Sequence, residues 1–132
     1  MEQRQIGSTK LHVSILGFGA APLGNLYTAV SDAEARLGLT TAWEQGRRFF
    51  DTAPFYGYGL SERRVGDALR QYPRDDFVLS TKVGRLIRRG WDDSRAAEMY
   101  ASPMPFHAAF DYSYDGVMRS VEDSYQRLGL DR

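Results

Sequence analysis

Three side chains in this sequence combine into a set that could move a proton. Asp51 closes the apolar pair Phe49-Phe50, and Tyr56 sits in the Pro/Gly-bounded loop Pro54-Phe55-Tyr56-Gly57. Lys82 ends a second apolar run, Phe77-Val78-Leu79-Ser80-Thr81-Lys82. In a partly dry pocket the aspartate and lysine would pair, since either charge alone carries a large desolvation cost. An ammonium close to a phenol favours tyrosinate and draws a tyrosine pKa down from about 10. That makes Tyr56 a usable general acid or base near neutral pH. Arginine would not replace the compact ammonium, because its planar fork has a different reach. The composition sharpens the point: only two lysines, Lys10 and Lys82, stand among 17 lysines and arginines.

Each of the three has a plainer explanation when taken singly. Asp51 could be a solvated turn residue or a helix cap, Tyr56 a packing residue, and Lys82 an edge-strand gatekeeper. It is their coincidence that favours chemistry.

These groups need elements to hold them. The chain has 132 residues, 42% of them hydrophobic, enough for one domain with a real core. Acidic and basic residues balance at 17 each, so no general attraction for nucleic acid or an anionic membrane is expected. The absence of cysteine excludes disulfides and thiolate metal sites. No apolar run reaches the ~18 residues of a membrane span, and a cytoplasmic protein is the expectation.

Residues 4–13 predict a hairpin around Gly7-Ser8-Thr9. A short apolar strand over 14–20 then enters a loop of small residues carrying Pro22 and Gly24. Ser31-Asp32-Ala33-Glu34 has the form of a capping box and opens a helix that stops at Gly46. Residues 47–51 predict a strand and 61–72 a helix with Val65, Ala68 and Leu69 on one face. Residues 77–82 predict the third strand. Residues 84–112 read as irregular and, being too long for a structural connection, as a functional loop. A last helix follows Ser113, with Val117, Val121, Tyr125 and Leu128 at helical spacing and Gly129 as its stop. Strands alternating with helices imply a parallel sheet covered by helices, with Asp51, Tyr56 and Lys82 at its carboxyl ends.

At these residues the sequence resembles the aldo-keto reductases. The resemblance rests on Gly17-Phe18-Gly19-Ala20, on Phe50-Asp51-Thr52-Ala53-Pro54-Phe55-Tyr56-Gly57, on Ser61-Glu62 through Gly66, and on Ser80-Thr81-Lys82-Val83-Gly84. Gly19-Ala20-Ala21-Pro22-Leu23-Gly24 and Ala53-Pro54 are similar to the branch that oxidises free aldoses, such as fucose or arabinose, or pyridoxal. The resemblance implies a (β/α)8 barrel of the TIM type. Residues 1–132 would form the amino-terminal part of that single domain, an N-terminal hairpin and the first three βα units. It further implies hydride transfer between NADP or NAD and an aldehyde or aldose-like substrate. Tyr56 would carry the proton, Lys82 would tune it and Asp51 would hold Lys82. Gly19, Ala20, Ala21 and Asp51 would flank the cofactor, and Pro22, Tyr56 and Trp91 the substrate, with no metal. The family's catalytic histidine and its main dinucleotide contacts would lie past Arg132, so the chain alone is not expected to turn over.

Other readings compete. Gly17 and Gly19 lack the full glycine spacing of a dinucleotide fingerprint and would serve close strand packing. His107 reads as a loop residue. Arg85, Arg88 and Arg89, followed by Asp92 and Asp93, read as a solvated loop. The rival to an enzyme is a truncated, non-catalytic module that self-associates through the open sheet edge of an incomplete barrel.

Overall fold

The computed structural model describes residues 1–132. It begins with an antiparallel hairpin, β1 (Gln3–Gln5) and β2 (His12–Ser14), whose strands pair Gln3 with Ser14 and Gln5 with His12. A parallel sheet of three strands follows in the order β3 (Phe18–Gly19), β4 (Phe49–Asp51), β5 (Val78–Ser80). Consecutive strands are neighbours, as the alternating pattern requires. The expected strand over 14–20 is shorter than its apolar run. Ser14 belongs to the hairpin, where its hydroxyl donates to the Leu16 carbonyl and accepts from the Arg48 N–H.

Register decides which residues face the core. Phe18, Phe50 and Leu79 stand opposite one another across the three strands and pack toward the helices. In a pleat the neighbours point the other way. Gly19, Asp51 and Ser80 therefore form one row on the face away from the helices. Phe50, Leu39, Val65 and Leu69 are wholly buried at the centre of the helix-side core.

Helix α1 (Asp32–Glu44) starts at a complete capping box: Ser31 accepts from the Glu34 N–H while the Glu34 carboxylate takes the Ser31 N–H. Helix α2 (Leu60–Leu69) buries Val65, Ala68 and Leu69, the face its spacing predicts. Helix α3 (Tyr114–Leu128) differs from expectation. Its buried positions are Gly116, Ser120, Ser124 and Leu128, while Tyr125 is 41% exposed. Small residues win that stripe because α3 lies close against α2; a Cβ at Gly66 would collide with the Leu128 carbonyl.

The segment expected to be irregular holds a second antiparallel hairpin. Strands β6 (Arg85–Arg89) and β7 (Phe106–Phe110) pair over their full length, Arg85 with Phe110 and Arg89 with Phe106. Only the tip, residues 90–105, lacks regular strand structure. The three arginines of β6 hid it, because no clean alternation of apolar and polar residues marks the strand. No helix is long and apolar enough to cross a membrane.

Candidate active site

Backbone bonds carry the sheet beyond its last paired residues. The Ala20 N–H donates to the Asp51 carbonyl at 2.8 Å, and the Thr52 N–H to the Ser80 carbonyl at 2.9 Å. Beneath them lies a buried chain of hydroxyls. Ser61 donates to the Ala20 carbonyl at 2.7 Å and its oxygen lies 2.9 Å from the Thr52 hydroxyl. Thr52, Ser61 and Ala20 are fully buried, so this chain locks the start of α2 to the ends of β3 and β4.

On that floor Asp51 and Lys82 meet. The Lys82 ammonium donates to Asp51 Oδ2 at 2.8 Å and to the Thr52 carbonyl at 2.9 Å. Ser80 donates to the other carboxylate oxygen at 2.7 Å. The ammonium lies 4.9 Å from the centre of the Tyr56 ring. The three residues singled out by sequence thus share one strand end. The expected partly dry pocket is not what surrounds the pair: the Lys82 and Asp51 side chains are 50% and 39% exposed. Partial burial lowers the Lys82 pKa, yet hydrogen bonding and charge from Asp51 and Tyr56 outweigh it and hold the ammonium above its ordinary range.

Tyr56 is set by a turn with an unusual run of conformations. Gly57, Tyr58 and Gly59 all have positive φ, at 67°, 56° and 94°. A Cβ at Gly24 would overlap the Tyr56 carbonyl carbon, and one at Gly57 would overlap the Gly24 backbone. Two glycines therefore let the small-residue loop lie directly against the tyrosine loop. Arg64 secures the other side of that loop, donating to the Leu23 and Val30 carbonyls and to the Asn25 side chain.

Two further tyrosines nearby are held as protonated phenols. Burial, then the Asp92 carboxylate it donates to, raises Tyr58 well above its ordinary value. Tyr100 is pushed up to about 12, by burial first and by Tyr56 next.

Of the other expected residues, Gly19 ends β3 opposite Asp51, and Ala21 and Pro22 lie on the loop that follows. Ala20 is fully buried with both backbone groups engaged, so it shapes the loop from beneath. Trp91 is 76% exposed at the base of the β6–β7 tip and does not line the cleft at Tyr56.

That cleft, about 260 Å³, runs between the tyrosine loop and the second hairpin. Phe55, Tyr56, Lys82, Arg85, Phe110 and Tyr112 line it. The resemblance places Phe110 among the aromatics that would cover the substrate, and Phe110 does line this cleft, whereas the sequence reads Arg85 as part of a solvated loop and does not single out Tyr112. Arg85 follows Lys82 by three residues, and that closeness to a strand end was the available signal.

Comparison with known proteins gives a consistent result. The sequence profile of the aldo/keto reductase family matches residues 15–132. Pyridoxal 4-dehydrogenase of Microbacterium luteolum is 47% identical over 98% of this chain and 40% of its own length. D-threo-aldose 1-dehydrogenase of a Pseudomonas species is 44% identical over 92% of this chain and 38% of its own. Among solved structures, an aldo-keto reductase of Bacillus halodurans in its holo form superposes with a TM-score of 0.74 at 34% identity, covering 99% of this chain and 37% of that one. The chain spans about 40% of the length of these relatives. Its hairpin and three βα units follow the (β/α)8 plan of those reductases.

Proposed function

The chain belongs to the aldo/keto reductase family, and on that premise we propose that it carries the proton-transfer apparatus of a nicotinamide-dependent oxidoreductase. The single observation behind this reading is the shared strand end, where one ammonium is hydrogen-bonded to Asp51 and stands over the Tyr56 ring. Residues 1–132 would serve as one part of a single (β/α)8 domain.

The residues present fit the nicotinamide end of NADP or NAD. Gly19 is in register with Asp51, and nothing lies within 4 Å of where its Cβ would stand. Gly19, Ala21 and Asp51 would hold that end, with Ala20 supporting them from the core. When bound, the cofactor supplies the hydride to a carbonyl carbon, or takes one from an alcohol carbon. Tyr56 donates its proton to the carbonyl oxygen as the alcohol forms, and recovers one from water. In the oxidation direction it accepts the alcohol proton. Lys82 stabilises the transient tyrosinate by charge, and Asp51 with the Thr52 carbonyl fixes where that charge sits. Half-exposed positions suit this role, since the proton must be exchanged with solvent. The substrate class is an aldehyde or a sugar-like carbonyl, in keeping with the pyridoxal and aldose dehydrogenases among the relatives. Pro22 and Tyr56 would border it, with Trp91 reaching it only if the hairpin tip folds inward.

Tyr56→Phe, introduced in the whole (β/α)8 protein of which residues 1–132 would form part, tests the reading. Turnover, followed by absorbance of the reduced cofactor, should fall about 100-fold or more while cofactor binding by fluorescence is retained. Undiminished turnover would exclude Tyr56 as the proton carrier.

A second reading draws on a different observation. Strand β5 is paired along one edge only, and Leu11, Ile15 and Leu16 are about half exposed. Such a surface suits association with further barrel strands or a second copy. Sedimentation velocity over a range of concentrations tests it, a constant monomer counting against self-association.

A further inference from the structure

Arg85 is unlike the other stacked arginines of this chain. Arg48 lies over Trp43 and also donates to the Trp43 and Arg47 carbonyls. Arg74 lies over Phe77 and donates to the Phe77 and Arg132 carbonyls. The Arg85 guanidinium carbon lies 4.0 Å from the centre of the Phe55 ring and 4.5 Å from that of Phe110. Yet its side chain makes no hydrogen bond and no ion pair within the chain.

Stacking fixes the plane of the group and turns its hydrogen-bonding capacity to the edge. Several features set that plane. Phe110 stands directly opposite Arg85 in the β6–β7 register, so both side chains project from the same face of the hairpin. Phe110 stacks in turn on Tyr112, whose ring lies against Gly84 where any Cβ would collide. Phe55 is one residue from Tyr56, and the cleft that holds Arg85 also holds Tyr56 and Lys82. The Lys82 charge is matched by Asp51, which leaves Arg85 as the uncompensated cation of the cleft.

We propose that Arg85 is a substrate-reading residue, whose guanidinium edge takes two adjacent oxygen atoms of a substrate with its carbonyl at Tyr56. The proposal rests on the oxidoreductase reading above. A guanidinium fork matches paired oxygen acceptors, which a vicinal diol and a carboxylate both provide. The two aromatic rings keep water from much of the group and make the reading selective.

The test is made in the whole (β/α)8 protein of which residues 1–132 would form part, and compares Arg85→Gln and Arg85→Lys with the unsubstituted protein, cofactor bound, on three aldehydes. These are glyceraldehyde, which carries a vicinal diol, succinic semialdehyde, which carries a carboxylate, and butanal, which carries neither. The kcat/KM for an oxygen-bearing substrate divided by that for butanal should fall about 10- to 100-fold in Arg85→Gln, mainly through KM. A fall confined to glyceraldehyde identifies the diol as the natural partner, and one confined to succinic semialdehyde the carboxylate. Arg85→Lys should restore more of the ratio for the carboxylate than for the diol, since it keeps charge but loses the fork. Unchanged ratios, or equal loss on all three aldehydes, overturn the proposal and leave Arg85 as a wall of the cleft. Retained turnover in Tyr56→Phe removes the oxidoreductase reading itself, an outcome separate from unchanged Arg85 ratios.

Discussion

The strand-end cluster and the second hairpin face each other across one cleft and are built on opposite principles. Around Asp51 and Lys82 nearly every polar group is spoken for, above a floor of Thr52, Ser61 and Ala20 that excludes water. The hairpin presents Phe110 at 63% exposure and Trp91 at 76%, with Tyr112 just past it at 70% and Arg85 uncommitted between aromatic rings. The first arrangement fixes a charge in place. The second offers adaptable contact surface. In the proposed enzyme, chemistry would reside with the rigid side and substrate choice with the other.

Removing the fixed charge should have the largest effect. In the whole (β/α)8 protein, Lys82→Ala is expected to lower turnover about 100-fold or more, and added small primary amines should restore part of it. Loss without rescue, in a variant whose circular dichroism is unchanged, would argue that the lysine shapes the loop instead of supplying charge.

Breaking the support beneath the cluster comes next. Glu62 is fully buried, accepts from Arg127 and takes the Thr81 hydroxyl at 2.7 Å, so it ties α3 to the segment leading into Lys82. Glu62→Ala strands the Arg127 charge and should cost about 3 kcal/mol in urea unfolding. Gly24→Ala should cost about 1–3 kcal/mol and also slow turnover, because its new methyl must push Tyr56 aside. On the hairpin, Trp91→Ala should change stability by no more than about 0.5 kcal/mol.

The two regions should also respond to opposite ends of the pH scale. The Lys82 pKa is raised in the folded protein, so its contribution is full below the ordinary lysine value of 10.5 and is lost as pH rises through the higher folded value. Asp92 is the reverse case. Hydrogen bonds from Ser94 first, and then from Tyr58, hold its pKa below the ordinary 3.8. The tether from Asp92 to Tyr58 should therefore persist above that value and loosen as pH falls through the lowered one. Trp91 fluorescence anisotropy in acid, compared with Asp92→Asn, reads the hairpin; unfolding of Lys82→Met against the parent in alkali reads the cluster.

Much of the rigid side was legible in the sequence, because its signals are local. The Ser31–Glu34 capping box, the apolar face of α2 and the polar residues closing short apolar runs each declare themselves within a few positions. What escaped depends on partners distant in sequence. Strand β6 makes sense only once Phe106–Phe110 returns beside it, and Arg85 looks solvated until Phe55 and Phe110 close on it. The small-residue stripe of α3 was hidden for a similar reason. Its cause is close approach to α2, while the periodic apolar residues that suggested the buried face are partly exposed. The half-exposed state of the Asp51–Lys82 pair was equally invisible, since residue types do not report how deep a strand end lies.

The central claim is that Lys82 works through Tyr56, and a double-mutant cycle on carbonyl reduction tests it most directly. In the whole (β/α)8 protein, Tyr56→Phe, Lys82→Met and their combination would be compared as kcat/KM at fixed cofactor saturation. The account predicts that the double variant is no slower than Tyr56→Phe alone, because the ammonium has nothing left to act on. Losses that simply multiply would show the two side chains acting independently and would contradict it.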